Sequence, residues 1–340
     1  MHYLITGHTG FKGAWLTLML RSAGHQVSGL ALDPEPGSLF EQAHLADFLE
    51  FDIRADIRGF ESLKAGFSSV QPDAVFHLAA QPLVRESYLS PRETMETNVI
   101  GTMNVIDASR SVGSVGGLVV ITTDKVYRNV NQVAGYLEGD ALGGHDPYSA
   151  SKAMADILTQ SWIASFPGLP ISIARAGNVI GGGDVCKDRL LPDLMSGFAA
   201  GSVVPLRYPA AVRPWQHVLD CLQGYMILMD RTLSNSLPFA DWNFGPGPAS
   251  FKTVAEMADL AASMWGGGAQ WNNVGGDHPH EAGLLALDAT RARTELNWHD
   301  RLDFDSAVSW TVDWYKSVSL GDQPLELTQR QISDFEQMVR

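Results

Sequence analysis

Near its start the chain carries an apolar run that leads straight into three glycines spaced three residues apart. The run His2–Thr6 predicts a buried strand, Gly7, Gly10 and Gly13 follow it, and Trp15–Ala23 then predicts a helix. Glycines in such a junction permit a tight turn, close approach of the backbone to a pyrophosphate, and close packing of the helix on the sheet. The helix N-terminus offers free N–H groups and the positive end of its dipole to phosphate. The junction therefore predicts a dinucleotide-binding βαβ unit.

The first half of the chain continues this alternation of apolar runs and helix-like stretches. Continuously apolar runs are typical of parallel strands buried on both faces. They occur at Gln26–Ala31, Ala74–His77, Leu118–Thr122 and Ile171–Arg175, with helical stretches at Gly59–Phe67 and Thr97–Val112. This order predicts an α/β fold, a Rossmann-type doubly wound parallel sheet with a smaller C-terminal substrate-binding lobe. We expect residues 1–177 to form an NAD-binding Rossmann domain, with later returns of the chain at roughly 211–245, and residues 178–340 to form mainly the second lobe.

The choice of NAD depends on an acidic residue about 20 residues beyond the glycines, where a carboxylate holds the adenosine ribose hydroxyls. Asp33 stands at that distance, and no Lys or Arg lies between Leu30 and Ala43 to meet a 2′-phosphate. We therefore predict NAD rather than NADP, although Asp33 can equally be a turn residue before Pro34. The predicted cofactor site further comprises Thr9, Phe11, Lys12, Asp56, Ile57, Ala79, Ala80, Gln81 and Asn98.

Composition excludes several other classes of function. Lys and Arg number 24 against 38 Asp and Glu, a formal charge of −14, and nucleic-acid binders usually carry a basic patch instead. The longest apolar runs fall far short of the ~20 residues of a membrane span. Cys186 and Cys221 form neither a CxxC pair nor a disulfide framework, and no basic-then-apolar leader precedes the first strand. We expect a cytoplasmic protein that binds neither nucleic acid nor membrane.

Tyr148 and Lys152 lie four residues apart, which places a phenol and an ammonium on one face of a helix. A cation beside a phenol favours the phenolate and lowers the pKa of the tyrosine, so the pair can take a proton from a sugar or alcohol hydroxyl. This spacing occurs by chance in many helices. Its position one short loop after the polar strand end at 122–125 gives it weight here.

In this order, the Gly-rich junction, the polar strand end and the Tyr-Lys pair resemble the extended short-chain dehydrogenase/reductases that act on nucleotide sugars. More narrowly, the chain resembles the CDP-glucose branch of the 4,6-dehydratases. The matching segments cover nearly the whole chain: 6–16, 76–85, 123–125, 143–152, 175–184, 213–217, 242–246 and 278–282. The resemblance implies a lyase that uses bound NAD for the redox-neutral dehydration of a nucleotide hexose, CDP-glucose, to the 4-keto-6-deoxy sugar nucleotide.

The resemblance also implies the role of each catalytic residue. Tyr148, assisted by Lys152 and Thr123, takes the proton of the sugar 4-hydroxyl as hydride leaves C4. The resulting ketone acidifies the hydrogen on C5, Lys125 removes it, and Asp124 protonates the departing 6-hydroxyl before hydride returns to C6. Asp124 must then be protonated and Lys125 neutral near pH 7, which requires burial or suitable neighbouring charges. A solvated surface pair is the alternative interpretation of these two residues.

On the substrate side, the resemblance implies that arginine and asparagine grip the diphosphate and that a late His-Glu pair closes over the sugar nucleotide. The guanidinium suits this task because it meets phosphate in a forked geometry. Arg189 can equally be a helix-start cation near Asp188 and Asp193. His278 and His280 suggest zinc as a competing idea, but no further Cys or His follows at ligand spacing, so we predict no metal. The predicted substrate-binding residues are Gln81, Arg85, Asn178, Arg189, Arg213, His280 and Glu281.

The resemblance further implies a homodimer that pairs through the helices at Thr97–Val112 and Pro147–Ala164. Apolar residues on more than one face of these helices would support the pairing, namely Val105, Ile106, Ala153, Ile157 and Trp162. Packing of the same faces on the chain's own sheet is the alternative.

Two departures from the family pattern lie near the expected sugar-nucleotide pocket. An aromatic, charged stretch of the family is replaced at residues 130–138, and a common tryptophan is Val185, followed by Cys186. They leave the nucleotide base and the sugar open, so a 4,6-dehydratase for a different nucleotide sugar remains an alternative. A nucleotide-sugar 4-epimerase would need Tyr148, Lys152 and NAD but no acid–base pair at 124 and 125. A non-catalytic NAD-binding scaffold would be expected to lack part of the Tyr-Lys-Thr set, which is intact.

Overall fold

Seven parallel strands form the central sheet of the computed structural model, which describes residues 1–132, 134–238, 240–275 and 285–339. In chain order the strands are β1 (His2–Thr6), β2 (Gln26–Ala31), β3 (Asp52–Arg54), β4 (Ala74–His77), β5 (Gly117–Thr123), β6 (Ile171–Ala176), β7 (Asn178–Ile180), β8 (Val204–Leu206), β9 (Val212–His217), β10 (Asp241–Phe244), β11 (Phe251–Thr253) and β12 (Trp271–Asn273). The order across the central sheet is β10-β6-β5-β4-β1-β2-β3, and every neighbouring pair is parallel. This is the predicted doubly wound arrangement, with its reversal of order between β1 and β4.

Helices cover both faces of this sheet and the second lobe. They are α1 (Phe11–Ser22), α2 (Leu39–Gln42), α3 (Phe60–Val70), α4 (Val84–Leu89), α5 (Pro91–Met95), α6 (Gly101–Ser111), α7 (Pro147–Ser165), α8 (Leu190–Ala199), α9 (Val218–Leu233), α10 (Val254–Trp265), α11 (Thr290–Glu295), α12 (Phe304–Ser319) and α13 (Pro324–Val339). A π-helical turn, Glu96–Ile100, joins α5 to α6 without a break. In the described part of the chain no helix is long and apolar enough to cross a membrane.

The central strands are apolar throughout because each face of the sheet packs against a different hydrophobic core. In β5, Leu118 and Val120 belong to one core, and the alternating residues Val119 and Ile121 belong to the other. This two-sided burial explains why period-2 alternation is missing from the sequence while the strands are still parallel. The predicted strands at β1, β2 and β4 are confirmed to the residue.

The segment at 211–245 divides between the two parts of the molecule. The strand β10 joins the central sheet as the parallel neighbour of β6, and α9 packs on β5 and β6. In contrast, β9 lies in a separate three-stranded sheet, parallel to β7 and antiparallel to β11. A further two-stranded sheet pairs β8 with β12. The chain therefore crosses between the parts more than once, and a single division at residue 177 stays a prediction.

Three of the residues that supported the predicted helix pairing are buried in the chain's own cores. Val105 and Ile106 pack in the core beneath α6, and Ala153 is 3% exposed in a small cluster with Tyr127. The interface interpretation of these three is wrong, because their surface is already covered within the protomer. Ile157 is different, since it is 51% exposed on α7.

Candidate active site

The Gly-rich junction between β1 and α1 is packed so closely that two of its glycines leave no room for a Cβ. Gly7 has a φ of +79°, and a Cβ there would lie 2.7 Å from the backbone nitrogen of Ala79 at the end of β4. A Cβ on Gly13 would lie 2.2 Å from the carbonyl oxygen of Gly7. Gly10 is the N-cap of α1, and no side chain caps the helix. The first turn of α1 therefore keeps its N–H groups for an anion, which fits the pyrophosphate of a dinucleotide.

The other residues of the junction are held by the protein itself. The Thr9 hydroxyl donates to the carbonyl of Leu32 at 3.2 Å, and the Lys12 ammonium donates to the Tyr225 hydroxyl on α9 at 3.2 Å. Phe11 lies beside Gly181, where a Cβ would be 3.2 Å from the phenyl ring. These contacts fix the shape of the loop, and direct contacts of the three side chains with a cofactor stay predictions.

At the predicted adenosine end, Asp33 is 90% exposed just beyond β2. Arg54 lies beside it, with Nε 3.8 Å from Asp33 Oδ1 and Nη2 2.6 Å from Asp52 Oδ2. The sequence did not reveal this cation, because Arg54 comes from β3 and is the cross-strand neighbour of Ala31. The carboxylates of Asp33 and Asp52 flank the Arg54 guanidinium and neutralise its charge, so little positive charge is left to bind a 2′-phosphate. This arrangement favours the free ribose hydroxyls of NAD.

Asp56 and Ile57, which the sequence predicts beside the adenine, are largely occupied by contacts within the protein. The Asp56 carboxylate binds the Arg58 guanidinium at 2.5 Å, and this hydrogen bonding lowers the pKa of Asp56. The Ile57 side chain is 4% exposed in the core, and its carbonyl accepts from Asn104 at 2.9 Å. Contact of these two residues with adenine stays a prediction.

The loop after β4 is tied to α7 through Asn98 in the π-helical turn. Asn98 accepts from the Gln81 N–H at 2.8 Å, donates to the Gln81 carbonyl at 3.0 Å, and donates to the Ser151 hydroxyl on α7 at 2.8 Å. The Gln81 side-chain amide donates to Thr94 and Leu83. Ala79 and Ala80 precede Gln81 in the same loop. The polar groups of Asn98 and Gln81 therefore position the loop, and their direct ligand contacts remain predictions.

The end of β5 carries the predicted acid and base. Asp124 is 2% exposed, which excludes the solvated-pair interpretation for this residue. The Thr123 hydroxyl donates to Asp124 Oδ1 at 2.7 Å, while Oδ2 is buried with no hydrogen-bond partner among the described residues. Lys125 follows in a 3₁₀ turn, Asp124–Val126, and is half-buried. A buried carboxylate oxygen without a partner fits a group that exchanges a proton with a bound ligand.

Tyr148 and Lys152 face this strand end from α7, which begins at Pro147 with Asp146 as its N-cap. Burial raises the pKa of Tyr148 to about 12, while a hydrogen bond with Thr123 lowers it and the Asp124 charge raises it. Burial lowers the pKa of Lys152 to about 8, and its ammonium donates to the Ile121 carbonyl at 2.9 Å. The structure thus brings the tyrosine, threonine and aspartate together, with the lysine one helical turn away.

Two of the predicted substrate-binding arginines are paired with aspartates. Arg189, the N-cap of α8, binds Asp184 at 2.7 Å, and its charge reaches Tyr148, where it lowers the pKa of the phenol. Arg85 binds Asp188 at 2.7 Å, and Asp188 also lies 3.4 Å from Arg207, a cation that no motif in the sequence indicates.

The other residues predicted to bind substrate lie on the strands β7 and β9 or outside the described residues. Asn178 begins β7 and is the neighbour of Trp215 in β9, the strand that also holds Arg213. His280 and Glu281, with His278, lie outside the described residues. Within the described ranges no group of three or more His, Cys, Asp or Glu side chains could hold a metal ion.

The fold and this constellation define a Rossmann enzyme of the short-chain dehydrogenase/reductase type. The family model described as the NAD dependent epimerase/dehydratase family matches residues 3–243, and the chain belongs to that family. NAD is therefore the cofactor of the family to which the chain belongs.

Two relatives that are similar in sequence over nearly the whole chain are 4,6-dehydratases. The chain is 43% identical over 341 residues to the CDP-glucose 4,6-dehydratase of Salmonella typhimurium, covering 97% of this chain and 95% of the relative. It is 30% identical to the dTDP-glucose 4,6-dehydratase of Streptomyces antibioticus, covering 96% of each. Among solved structures, DesIV, the dTDP-glucose 4,6-dehydratase of Streptomyces venezuelae with NAD bound, superposes with a TM-score of 0.80 at 25% identity, covering 96% of this chain and 100% of that one.

Proposed function

We propose that this protein is a CDP-glucose 4,6-dehydratase, an NAD-dependent hydro-lyase that converts its substrate to the 4-keto-6-deoxy sugar nucleotide and water. The observation that carries the proposal is the buried, unpartnered Oδ2 of Asp124 beside the Tyr148–Thr123 pair. Similarity to the Salmonella enzyme over nearly the whole chain supports CDP-glucose as the substrate.

The first half of the reaction uses the groups of α7 and the end of β5. NAD, when bound at the Gly-rich junction, supplies the acceptor for hydride from C4 and the donor of hydride to C6. Tyr148 takes the proton of the 4-hydroxyl, with Thr123 in hydrogen-bond contact with the phenol. Burial alone would keep Tyr148 protonated, so the charged Lys152 is needed to stabilise the phenolate. The neutral phenol would leave the alcohol unoxidised.

The second half removes water from C5 and C6. Once C4 is a ketone, the C5 hydrogen is acidic, and Lys125 in its neutral form takes that proton. Asp124 gives a proton to the 6-hydroxyl, the C6–O bond breaks, and water leaves. Asp124 is 2% exposed, so this proton transfer takes place away from bulk water. Hydride addition at C6 and reprotonation of C5 complete the product, so atoms and electrons balance without a second substrate.

The diphosphate of the substrate would be held at the rim by arginines. Arg189 and Arg85 are each paired with an aspartate, and Arg213 and Asn178 lie on the neighbouring strands β9 and β7. Guanidinium groups can exchange a carboxylate for a phosphate because the two anions present similar forked oxygens. His280 and Glu281 remain proposed contacts of the sugar nucleotide.

The protein is further proposed to be a cytoplasmic homodimer that pairs through α6 and α7. Support comes from large apolar side chains left exposed on α7 and at the end of the π-helical turn before α6: Met154 is 40%, Ile157 51% and Ile100 44% exposed. Exposed apolar groups gathered on one region commonly mark a protein–protein contact. Both cysteines, Cys186 and Cys221, are free thiols, which supports a reducing compartment.

A panel of nucleotide hexoses tests the proposed function. The purified protein is incubated with CDP-, dTDP-, UDP- and GDP-hexoses, and products are identified by mass and NMR. The proposal expects loss of 18 mass units and a new C6 methyl signal with CDP-glucose. A 4-epimer of unchanged mass, or activity confined to another nucleotide, would overturn it.

A further inference from the structure

Helix α7 carries a third chemistry-bearing side chain that the proposed reaction does not use. Asp156 follows Lys152 by one helical turn, just as Lys152 follows Tyr148, so all three share a face of the helix. Asp156 is 0% exposed. Consecutive residues of β5 hold the two charged groups: the Ile121 carbonyl accepts from Lys152 at 2.9 Å, and the Thr122 hydroxyl donates to Asp156 at 3.0 Å.

Arg175 on β6 completes the contacts of Asp156. It is the cross-strand neighbour of Thr122, is 0% exposed, and binds the carboxylate through both forks, with Nε to Oδ2 at 2.8 Å and Nη2 to Oδ1 at 2.7 Å. Gln160 donates to Oδ1 at 2.8 Å. A buried ion pair is weak evidence for stability, because desolvation of both charges offsets much of their attraction. Its position under the catalytic helix therefore suggests another purpose.

The ion pairs around Arg175 contain more carboxylates than guanidinium groups. Ion pairs run in an alternating chain from Asp156 to Arg175 at 2.7 Å, to Asp241 at 3.1 Å, to Arg291 at 3.3 Å and to Glu138 at 3.6 Å. Three carboxylates thus share two guanidinium groups within the described part of the chain. When all are ionised, this chain carries a net negative charge, and its Asp156 end lies one turn from Lys152.

Asp156 is the negative charge near Lys152, because the other titratable groups that face Lys152 among the described residues are cationic or neutral. Lys12, from the start of α1, is a cation and lowers the pKa of Lys152, as burial does, whereas Asp156 raises it. His77 on β4 is fully buried, and burial with the nearby Lys152 charge lowers its pKa to about 3, so the imidazole is neutral. Tyr148, on the same helix, is the phenol that Lys152 serves.

We propose that Asp156 and Arg175 are positioning residues. Together they fix α7 on the β5–β6 edge, and Asp156, held in place by Arg175, supplies the counter-charge that keeps the buried Lys152 ammonium charged. The effect of Asp156 on turnover rests on the proposed dehydratase function, whereas its effect on the charge of Lys152 does not. An experiment can therefore contradict the proposed function and leave the proposal about Lys152 intact, or the reverse.

The direct test measures the titration of Lys152 by NMR in protein labelled with [¹³Cε]lysine, assigned with Lys152→Met. Asp156→Asn removes the carboxylate charge and leaves the Arg175 cation nearby. The midpoint of Lys152 should fall by about one pH unit or more. In turnover assays of the holoenzyme, the alkaline limb of kcat should move to lower pH by the same amount, because Lys152 loses its proton earlier.

Thr122→Val is the matched control, since it removes one hydrogen bond to Asp156 but keeps the charge. It should destabilise the fold and leave the Lys152 midpoint at the parent value. If Asp156→Asn does not fold, Asp241→Asn replaces it as the test variant, because Asp241 is more exposed. In that variant the midpoint of Lys152 should also move to lower pH, by a smaller amount. An unchanged midpoint in the variant that folds, or an equal shift in Thr122→Val, would overturn the proposal. A parent protein inactive on CDP-glucose would overturn only the proposed function.

Discussion

At the scale of single residues, the proposed reaction assigns oxidation and elimination to different side chains. In that proposal, Tyr148 and Lys152 on α7 serve the removal of hydride, whereas Asp124 and Lys125 after β5 serve the loss of water. Thr123 lies between the two sets, since its hydroxyl bonds to Asp124 at 2.7 Å and also contacts the Tyr148 phenol. Damage to each set should therefore stop the reaction at a different point.

Tyr148→Phe and Asp124→Asn separate the two steps. Tyr148→Phe removes the base for the 4-hydroxyl, so neither a 4-ketone nor a reduced cofactor should form. Asp124→Asn cannot supply a proton to the 6-hydroxyl, so product formation should fall roughly 10²–10⁴-fold, the usual contribution of general acid catalysis. A 4-keto sugar that retains its 6-hydroxyl should accumulate on the enzyme, as read by mass spectrometry and absorbance at 340 nm.

Asp313→Asn, an exposed carboxylate on α12, is the control and should turn over at the parent rate. Lys125→Met should resemble Asp124→Asn and also slow the exchange of the C5 hydrogen for solvent deuterium. Parent rates in both Asp124→Asn and Lys125→Met would show that these residues do not perform the elimination.

The sequence could identify individual residues where the signal is local, and it could not identify their partners. The spacings from Gly7 to Gly13 and from Tyr148 to Lys152 are fixed by one turn or one helix, so they are visible in the chain. Arg54 beside Asp33, 21 positions away, comes from a neighbouring strand, and only the sheet register brings them together. Contacts of this kind depend on tertiary structure.

At the scale of elements, the π-helical turn shows the same limit. The sequence predicts one helix at Thr97–Val112, yet the helical segment begins at Pro91 and passes through Glu96–Ile100 in π geometry. Such a turn inserts an extra residue and changes which side chains face inward. It places Asn98 between Gln81 and Ser151, and no periodicity in the sequence indicates the insertion.

The Gly-rich junction permits a paired test of its glycines. Gly13→Ala would place a Cβ against backbone atoms of Gly7 and His8, at 2.2 and 2.6 Å, which cannot move without opening the loop. We expect the cofactor-free protein to lose about 1–3 kcal/mol of unfolding free energy or more, as in overpacked cores, and to lose NAD binding. Denaturant unfolding and NAD titration by calorimetry measure both effects.

Gly10→Ala is the matched variant, because its new Cβ would lie 3.4 Å from the carbonyl oxygen of Gly7, an ordinary contact distance. It should leave the unfolding free energy nearly unchanged and weaken only the binding of NAD, because the methyl group would lie where the pyrophosphate approaches the backbone. Equal stability of the two variants would contradict this account of the junction.

At the scale of the whole molecule, one continuous hydrophobic core joins the Rossmann sheet to the second lobe. It extends from Tyr3 in β1 and Trp15 in α1 to Trp314 in α12 and Phe335 in α13. This continuity explains why composition and linkers in the sequence show no clean domain boundary. The fold class could be predicted because parallel βα units have a strong local pattern, whereas the second lobe has short strands and depends on long-range packing.

The proposed dimer can be tested with one exposed side chain. Ile157→Glu places a charge on the uncovered face of α7, so light scattering at micromolar concentration should show a monomer for the variant and a dimer for the parent. The melting temperature of the isolated fold should change little, because Ile157 is 51% exposed. Leu320→Glu, at a site 79% exposed beyond α12, should remain dimeric. A monomeric parent would end the proposal.

The most direct measurement follows a single deuterium through the reaction. CDP-glucose labelled with deuterium at C4 is incubated with the purified protein, and the product is examined by ²H NMR and mass spectrometry. Redox-neutral dehydration predicts a 4-keto-6-deoxy product that carries the deuterium at C6, because the hydride removed from C4 is the one returned. Deuterium retained at C4 of an epimer, or lost with net consumption of NAD, would contradict the proposed function.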